Sequence, residues 1–502
     1  MNNIENNTLE SSKDLDANQI QKLILVLKTY KYRIYPTTEQ IEFFHKSFGC
    51  ERFLYNHFAG IQLEAFKSKS PLLSNYSLDK LIPKLKKEKS WLKDVNSQSL
   101  QKVTKDLKKG VDTFFRKCKK GEGSNLFNFK KKNSFKQSFG FPSNGQVKFI
   151  HNYKIKKKNK KKICYISIPK LKTSIKLLKH RNFDQSAVIK NVTITRESDG
   201  YYMALQCEIE NSKNESKSLD FNDDIPKKLS IVGGDLGVVK LFTTSDGDVF
   251  SPIHPFQTNQ LKLKELQQDF NKSHANYKAK EKDKIKELKE KNQYNKENFY
   301  YAPSKRYLRL KSKVRKLHQK IARIRHNYLH NISKMLVDNY DHIILENLDV
   351  KKMTQSNKGT LEEPGENVSQ KSQLNKSILD QGWGILKQFV DYKLEWKNGH
   401  KSIKIPPYHT SQTCSCCLHQ SNLNRENQAS FDCKKCDNIM NSDVNASFNI
   451  NIIRLGLIKM GFSKEKSHEY VLRSYLINFR FRLEEKHPWA MGDKMGISLR
   501  VN

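Results

Sequence analysis

Three features of this 502-residue sequence predict an α+β fold. Strand-like stretches of alternating apolar and polar residues crowd the segment 139–210, after long stretches with helical spacing. Two short apolar runs further on, "LSIVGGD" and "DHIILE", each end at an acid. Near the C-terminal end, two cysteine pairs have the spacing of a metal-closed hairpin. With 36% hydrophobic and 29% charged residues the chain is polar, yet long enough to build the cores of roughly two to four domains.

Taken in order, residues 1–21 are polar and acidic and are expected to be disordered. The stretch 23–36, "LILVLKTYKYRIYP", is β-branched and aromatic and reads as a strand ended by proline. Thr37, with Gln40 three residues later, has the form of a capping box, and Ile41, Phe44 and Phe48 follow at helical spacing. Helical segments continue to about Lys117 and include the stretch 91–115. "FGFPSNGQVKFI", "KKKNKKKICYISIPKL" and "SAVIKNVTITRESDGYYMALQCEIE" then read as a small β-barrel or sheet. The lysine run 156–162 between two of these strands suits a solvated loop or a phosphate-binding edge equally well. Residues 229–250 place an apolar strand, an acid and a second strand in succession, and a long helical insert follows at about 259–340.

Leu310, Val314, Leu317, Ile321, Ile324 and Tyr328 in that insert recur at alternating four- and three-residue steps, an apolar seam. Around it lie Arg306, Arg309, Lys311, Lys313, Arg315, Lys316, Lys320, Arg323 and Arg325. A solvated coiled-coil face would interleave glutamates, and none occurs between Arg306 and Tyr340. The helix is therefore expected to lie along a nucleic-acid backbone, with Arg309, Lys313, Lys316, Lys320 and Arg323 as contacts.

Charge points the same way. Lysine and arginine outnumber acids 92 to 52, for a net charge of +40. So large a surplus repels itself unless an anion neutralises it, and nucleic acid is the polyanion that gains most from releasing counterions. The alternative is a solvated surface in a lysine-biased chain. No apolar run approaches the roughly 18–20 residues of a membrane span, and the N-terminal residues lack a signal pattern. A cytoplasmic place is expected, with no membrane partner. The nine cysteines are then reduced, as ligands or core thiols.

The acids and cysteines carry the chemistry. Asp235 and Glu346 end apolar strands, and Asp443 stands at the mouth of a helix in "NSDVNAS". One strand-end acid is usually a cap. Three beside apolar segments in a basic chain suggest carboxylates held together by divalent cations, the arrangement of a two-Mg²⁺ phosphodiesterase. Cys414, Cys417, Cys433 and Cys436 form C-x₂-C-x₁₅-C-x₂-C, the spacing of a structural Cys₄ zinc ribbon. Cys416 is read as a bystander that could replace Cys417; His419 is read as facing solvent, with a role as ligand the alternative.

The ordered motifs "YRIYPTTEQ…FGCERFLYNHF", "WLKDVNSQSLQ", "GGDLGV", "ILENLDVKKM", "PPYHTSQTCSCC…CKKC" and "DVNASFNI" resemble the TnpB family over about residues 30–453. That resemblance implies a transposon-encoded, RNA-guided DNA endonuclease with a RuvC (RNase H-like) nuclease domain. A guide RNA would pair with double-stranded target DNA beside a short adjacent motif. Asp235, Glu346 and Asp443 match the RuvC acids that hold two Mg²⁺ ions, and the four cysteines match the ligands of one structural Zn²⁺. Arg425 matches an arginine near the scissile phosphate. Gln98 and Gln101 fall on the helix that reads the adjacent motif, where glutamine can pair with adenine edges. The chain departs from the pattern at Ser442, where arginine is common, in its long insert, and in the tail 456–502, which carries no assignable motif.

The expected layout is a tail at 1–21 and a wedge β-barrel at 22–228, with a helical recognition lobe at about 37–125. A RuvC-like domain follows at 229–455, with its insert and a zinc ribbon at about 411–438, and then the C-terminal tail. Miniature type V CRISPR effectors share the core and are an alternative reading. A non-cleaving regulator and a conventional DNA transposase are others. The oligomeric state stays open.

Overall fold

The computed structural model describes residues 24–121, 125–132, 136–143, 145–155, 162–181, 183, 186–211, 230–295, 299–360, 362–407, 412–414, 417, 419–424, 430–437, 439–441, 457–459, 461, 463 and 467. The expectations placed on 1–21, on 156–161, on most of 456–502 and on Cys416, Arg425, Ser442 and Asp443 lie outside these residues. By backbone contacts the chain divides into two units. One contains residues up to Ser212 together with Leu308–Lys316, and the other contains the remainder.

In the first unit, strand β1 (Ile24–Tyr35) is followed by three helices, α1 (Thr38–Lys67), α2 (Asn75–Glu88) and α3 (Ser97–Lys119). Six strands come next: β2 (Gln137–Pro142), β3 (Lys148–Ile155), β4 (Lys162–Ser167), β5 (Ile175–Lys179), β6 (Val188–Glu197) and β7 (Gly200–Asn211). All seven strands form one antiparallel sheet in the order β2-β6-β7-β1-β5-β4-β3. Alternation along each strand sends Tyr32, Ile34, Phe139, Ile166, Leu177, Ile194 and Leu205 into one core. The helices inserted between β1 and β2 build a second core around Leu54, Phe58, Leu78, Leu92, Leu100 and Leu107.

The start of α1 has the geometry its sequence predicts. Thr37 Oγ1 accepts from the Gln40 amide and Gln40 Oε1 accepts from the Thr37 amide at 3.1 Å. Gln40 Nε2 also donates to Thr173 Oγ1 at 2.9 Å, which fastens the helix to the turn before β5.

The second unit is built on a five-stranded sheet. Strands β8 (Ile231–Asp235), β9 (Phe242–Thr244) and β10 (Val249–Phe250) form an antiparallel meander. The helices α4 (Pro255–Thr258), α5 (Gln260–Glu290) and α6 (Lys305–Asn339) then lead to β11 (His342–Glu346), which runs parallel to β8. Next come α7 (Val350–Met353), α8 (Val368–Gln381) and α9 (Trp383–Asn398), and β12 (Ile403–Ile405) pairs parallel to β11. The order is β10-β9-β8-β11-β12. Val232, Phe242, Ile343 and Leu345 of the sheet pack with Leu329, Ile332 and Leu336 of α6 and Trp383, Leu386, Val390 and Leu394 of α9. Among the described residues no helix is long and apolar enough to cross a membrane.

The seam of α6 departs from its expected path. Leu310, Val314, Leu317 and Ile321 are buried, but Ile324 is 36% exposed and the buried line resumes at Leu329, Ile332 and Leu336. A straight helix drifts by about 20° per heptad from a 3.5-residue repeat, so the stripe moves off Ile324. Arg325, expected on the basic surface, lies four residues from both Ile321 and Leu329 on the buried line, and it is not part of the solvated basic surface. It donates from Nε to the Asp380 carbonyl at 2.8 Å and pairs through Nη2 with the Asp380 carboxylate.

Candidate active site and metal-binding hairpin

Asp235 is the last residue of β8 and Glu346 the last residue of β11. The two strands are parallel and in register as far as Gly234 opposite Leu345, so the acids emerge side by side from one end of the sheet. Neighbouring strands are about 4.8 Å apart, close enough for two carboxylates to share a cation. β-branched and apolar residues drive this geometry, because "IV" and "HIIL" are covered on both faces as central parallel strands require. Gly234 is needed beside the acid. A Cβ there would meet the Phe242 ring at 2.1 Å and Leu345 at 3.0 Å.

Helix α9 supports the strand ends. Lys387 Nζ donates to the main-chain carbonyl of Glu346. Burial, and then Lys404, hold its ammonium below the usual lysine range, while Glu346 and Asp391 act in the opposite direction. Asp391 accepts from the Ser402 amide at 3.2 Å and from Lys404 Nζ at 2.8 Å, which ties β12 to the same helix. The sequence reading did not name Lys387 or Asp391. It assigned no helix to 383–398, and nothing local in the sequence says which lysine there faces the strands.

The four cysteines come together. One sulfur from each of Cys414, Cys417, Cys433 and Cys436 lies within 4.8 Å of the others. Cys414 and Cys436 are 3.6 Å apart, and Cys417 and Cys433 are 3.5 Å apart. A tetrahedron with Zn–S of about 2.3 Å has edges of about 3.8 Å, so these residues fit a zinc ion. Burial pushes the Cys433 thiol up, but the Lys435 and Cys436 amides and the facing thiols outweigh it and bring it down to about 7. The hairpin of β13 (Ser430–Asp432) and β14 (Ile439–Asn441) carries the second pair, with Phe431 packed against Cys414 and Cys433. His419 contributes its carbonyl, which accepts from the Cys414 amide at 3.0 Å. Asn424, fully buried, donates to the Gln412 and His419 carbonyls at 3.0 and 2.9 Å and accepts from the Lys434 amide at 3.1 Å. It joins both knuckles, and nothing in an asparagine-rich sequence singled it out.

The remaining candidates are placed as follows. Asp443 and Arg425 lie outside the described residues. Gln98 and Gln101 stand in the first turns of α3, behind the Asn96 cap. Gln101 is exposed, whereas the Gln98 Oε1 is buried without a hydrogen bond. Arg309, Lys313, Lys316, Lys320 and Arg323 are all exposed on α6. At 3.6 residues per turn they form one stripe, centred about 110° from the buried line of Leu310, Val314, Leu317 and Ile321.

Comparison with known proteins adds to this geometry. Residues 26–70 match a family described as "Helix-turn-helix domain", 205–357 one described as "Probable transposase", and 383–450 one described as "Cas12f1-like, TNB domain". Over 427 residues the chain is 32% identical to "Putative RNA-guided DNA endonuclease InsQ" of Escherichia coli (strain K12), spanning 84% of this chain and 91% of that protein. The chain belongs to the TnpB family. A second relative, "Putative RNA-guided DNA endonuclease" of Streptomyces pristinaespiralis, is 22% identical over 440 residues, 85% of this TnpB-family chain and 89% of the relative. Among solved structures, "Structure of the mini-RNA-guided endonuclease CRISPR-Cas_phi3" aligns with a TM-score of 0.45 at 12% identity, covering 86% of this chain and 92% of that one.

Proposed function

We propose that this TnpB-family protein is an RNA-guided DNA endonuclease with a RuvC-type nuclease site. The observation that carries the reading is the pairing of Asp235 and Glu346 at one end of a mixed sheet. Its antiparallel three-strand meander is followed by two parallel strands, the order of an RNase H-like domain. The names of the two long relatives agree with it.

Carboxylate oxygens at neighbouring strand ends are the hard donor set that Mg²⁺ takes. A bound pair of Mg²⁺ ions would activate water and neutralise the leaving oxygen. Asp235 and Glu346 would hold that pair, with Asp443 as the third acid. Lys387 keeps the end of β11 in place through the Glu346 carbonyl. Arg425 would lie beside the scissile phosphate, where a cation stabilises charge in the transition state. The Cys₄ hairpin would hold a structural zinc and do no chemistry.

Specificity would come from base pairing between the guide and the target strand, while the protein holds the heteroduplex by its backbone. The basic stripe of α6 supplies such contacts. The first unit would be the wedge barrel with its inserted recognition lobe, and Gln98 and Gln101 would read the adjacent motif. The match of 383–450 to a Cas12f1-like domain leaves a miniature CRISPR effector as a second reading, which differs in genomic context and not in chemistry.

Alanine at Asp235, Glu346 or Asp443 should each abolish guided cleavage and leave DNA binding by the RNA-loaded protein largely intact. Cleavage and gel-shift assays on the three variants test this. A variant that cuts at the wild-type rate would remove that residue from the site.

A further inference from the structure

A cavity lies in the first unit, between α1 and the segment that leads into β2. It encloses about 530 Å³ and is lined by Phe48, Glu51 and Arg52 from the helix and by Asn128–Lys131 and Lys136–Ser138 from the chain facing it. Asn56 holds the two walls together: its Nδ2 donates to the Lys130 carbonyl at 3.0 Å, and its Oδ1 accepts from the Lys130 amide at 2.8 Å.

The lining has an unusual division of charge. Arg52, Lys131 and Lys136 make no ion pair among the described residues, and Lys130 rests its ammonium over the Tyr55 ring at 4.1 Å. The floor is the opposite. Glu51 is buried, 7% exposed, and accepts from Ser99 Oγ and from the Gly140 amide at 3.1 Å. Phe129, also in the lining, is a ring left 51% exposed in a run of lysines.

We propose that this cavity binds a single unpaired nucleotide of a nucleic-acid strand, with the base stacked on Phe129 and the phosphate at the rim among Arg52, Lys131 and Lys136. The physical reason is the position of the carboxyl. An acid at the floor repels a phosphate and accepts from base N–H groups, so the base enters first and the phosphate stays with the cations. Burial raises the Glu51 carboxyl to about 7, so a donor from the base would relieve a charge that is costly to keep there. A ring with an open face suits any base, since every base has a π-face. The site deepens the nucleic-acid reading above and rests on it only for the identity of the strand.

The test is equilibrium binding by the full chain, freed of copurified nucleic acid in high salt. The probes are short single-stranded RNA and DNA carrying 2-aminopurine, whose fluorescence falls on stacking. Phe129→Ala should weaken binding about five-fold or more without changing the salt dependence, because stacking releases no counterion. Phe129→Tyr should restore both affinity and quenching. Lys131→Ala should instead reduce the slope of log K against log salt by about one. A loss confined to the RNA probe assigns the pocket to a guide strand, and one confined to DNA assigns it to a target strand. Wild-type binding and quenching by Phe129→Ala on both probes would overturn the proposal. Because neither probe is cut or paired, failure of guided cleavage would leave this result readable.

Discussion

Arg325 illustrates how far a residue's role depends on its partner. Sequence periodicity places it among the basic residues around the seam, yet its charge is met by Asp380, which is 5% exposed. The same carboxylate accepts from the Phe256 amide at 3.0 Å and the Gln257 amide at 3.3 Å, at the start of α4. One acid therefore closes a helix end and neutralises a partly buried cation. Asp380→Ala should destabilise the second unit by about 3–5 kcal/mol, since it strands the guanidinium and two amides. Adding Arg325→Met to that variant should cost little more, because the stranded charge goes with it. Urea unfolding of the single and double variants measures both. Additive losses would mean that the two groups act independently.

At the scale of an element, the Cys₄ hairpin should depend on a bound zinc for its fold. β13 and β14 have three residues each, too few to fold on their own pairing, and Phe431 is the only large apolar side chain in the cysteine cluster's core among the described residues. Elemental analysis should find about one zinc per chain. Cys433→Ser should lose it and expose the hairpin to proteolysis, because binding free energy is folding free energy here. Cys416→Ser should keep the metal. Loss of zinc in that variant would show that Cys417 is not the ligand, despite its position 3.5 Å from Cys433.

For the whole molecule, charge is the governing quantity. A surplus of +40 is not relieved by ion pairs, which leave the net charge unchanged, and several of those among the described residues join exposed groups on neighbouring helical turns. The protein from its host should therefore carry a discrete RNA, and removing it should abolish site-specific cutting. Neutralising Arg309, Lys313, Lys316, Lys320 and Arg323 should weaken RNA binding alike for every guide sequence. Each lost phosphate contact should lower the salt slope by about one. Site-specific cutting by RNA-free protein would return the reading to a conventional endonuclease or transposase.

Local rules written in the sequence determined the capping box at Thr37, the strand ends at Asp235 and Glu346, and the cysteine spacing, because each depends on residues a few positions apart. The helical insert expected at about 259–340 has its outer ends near the start of α5 and the end of α6, but the break between the two helices at 291–304 was not foreseen. Tertiary structure alone decided which polar groups face one another. The choice of Lys387 for the Glu346 carbonyl, of Asp380 for Arg325, of Asn424 for the Lys434 amide and of Gly140 for Glu51 joins residues between 10 and 89 positions apart. No spacing rule reaches across such distances. The chain has many lysines and asparagines of similar local context, and only packing selects the one whose donor meets a buried acceptor.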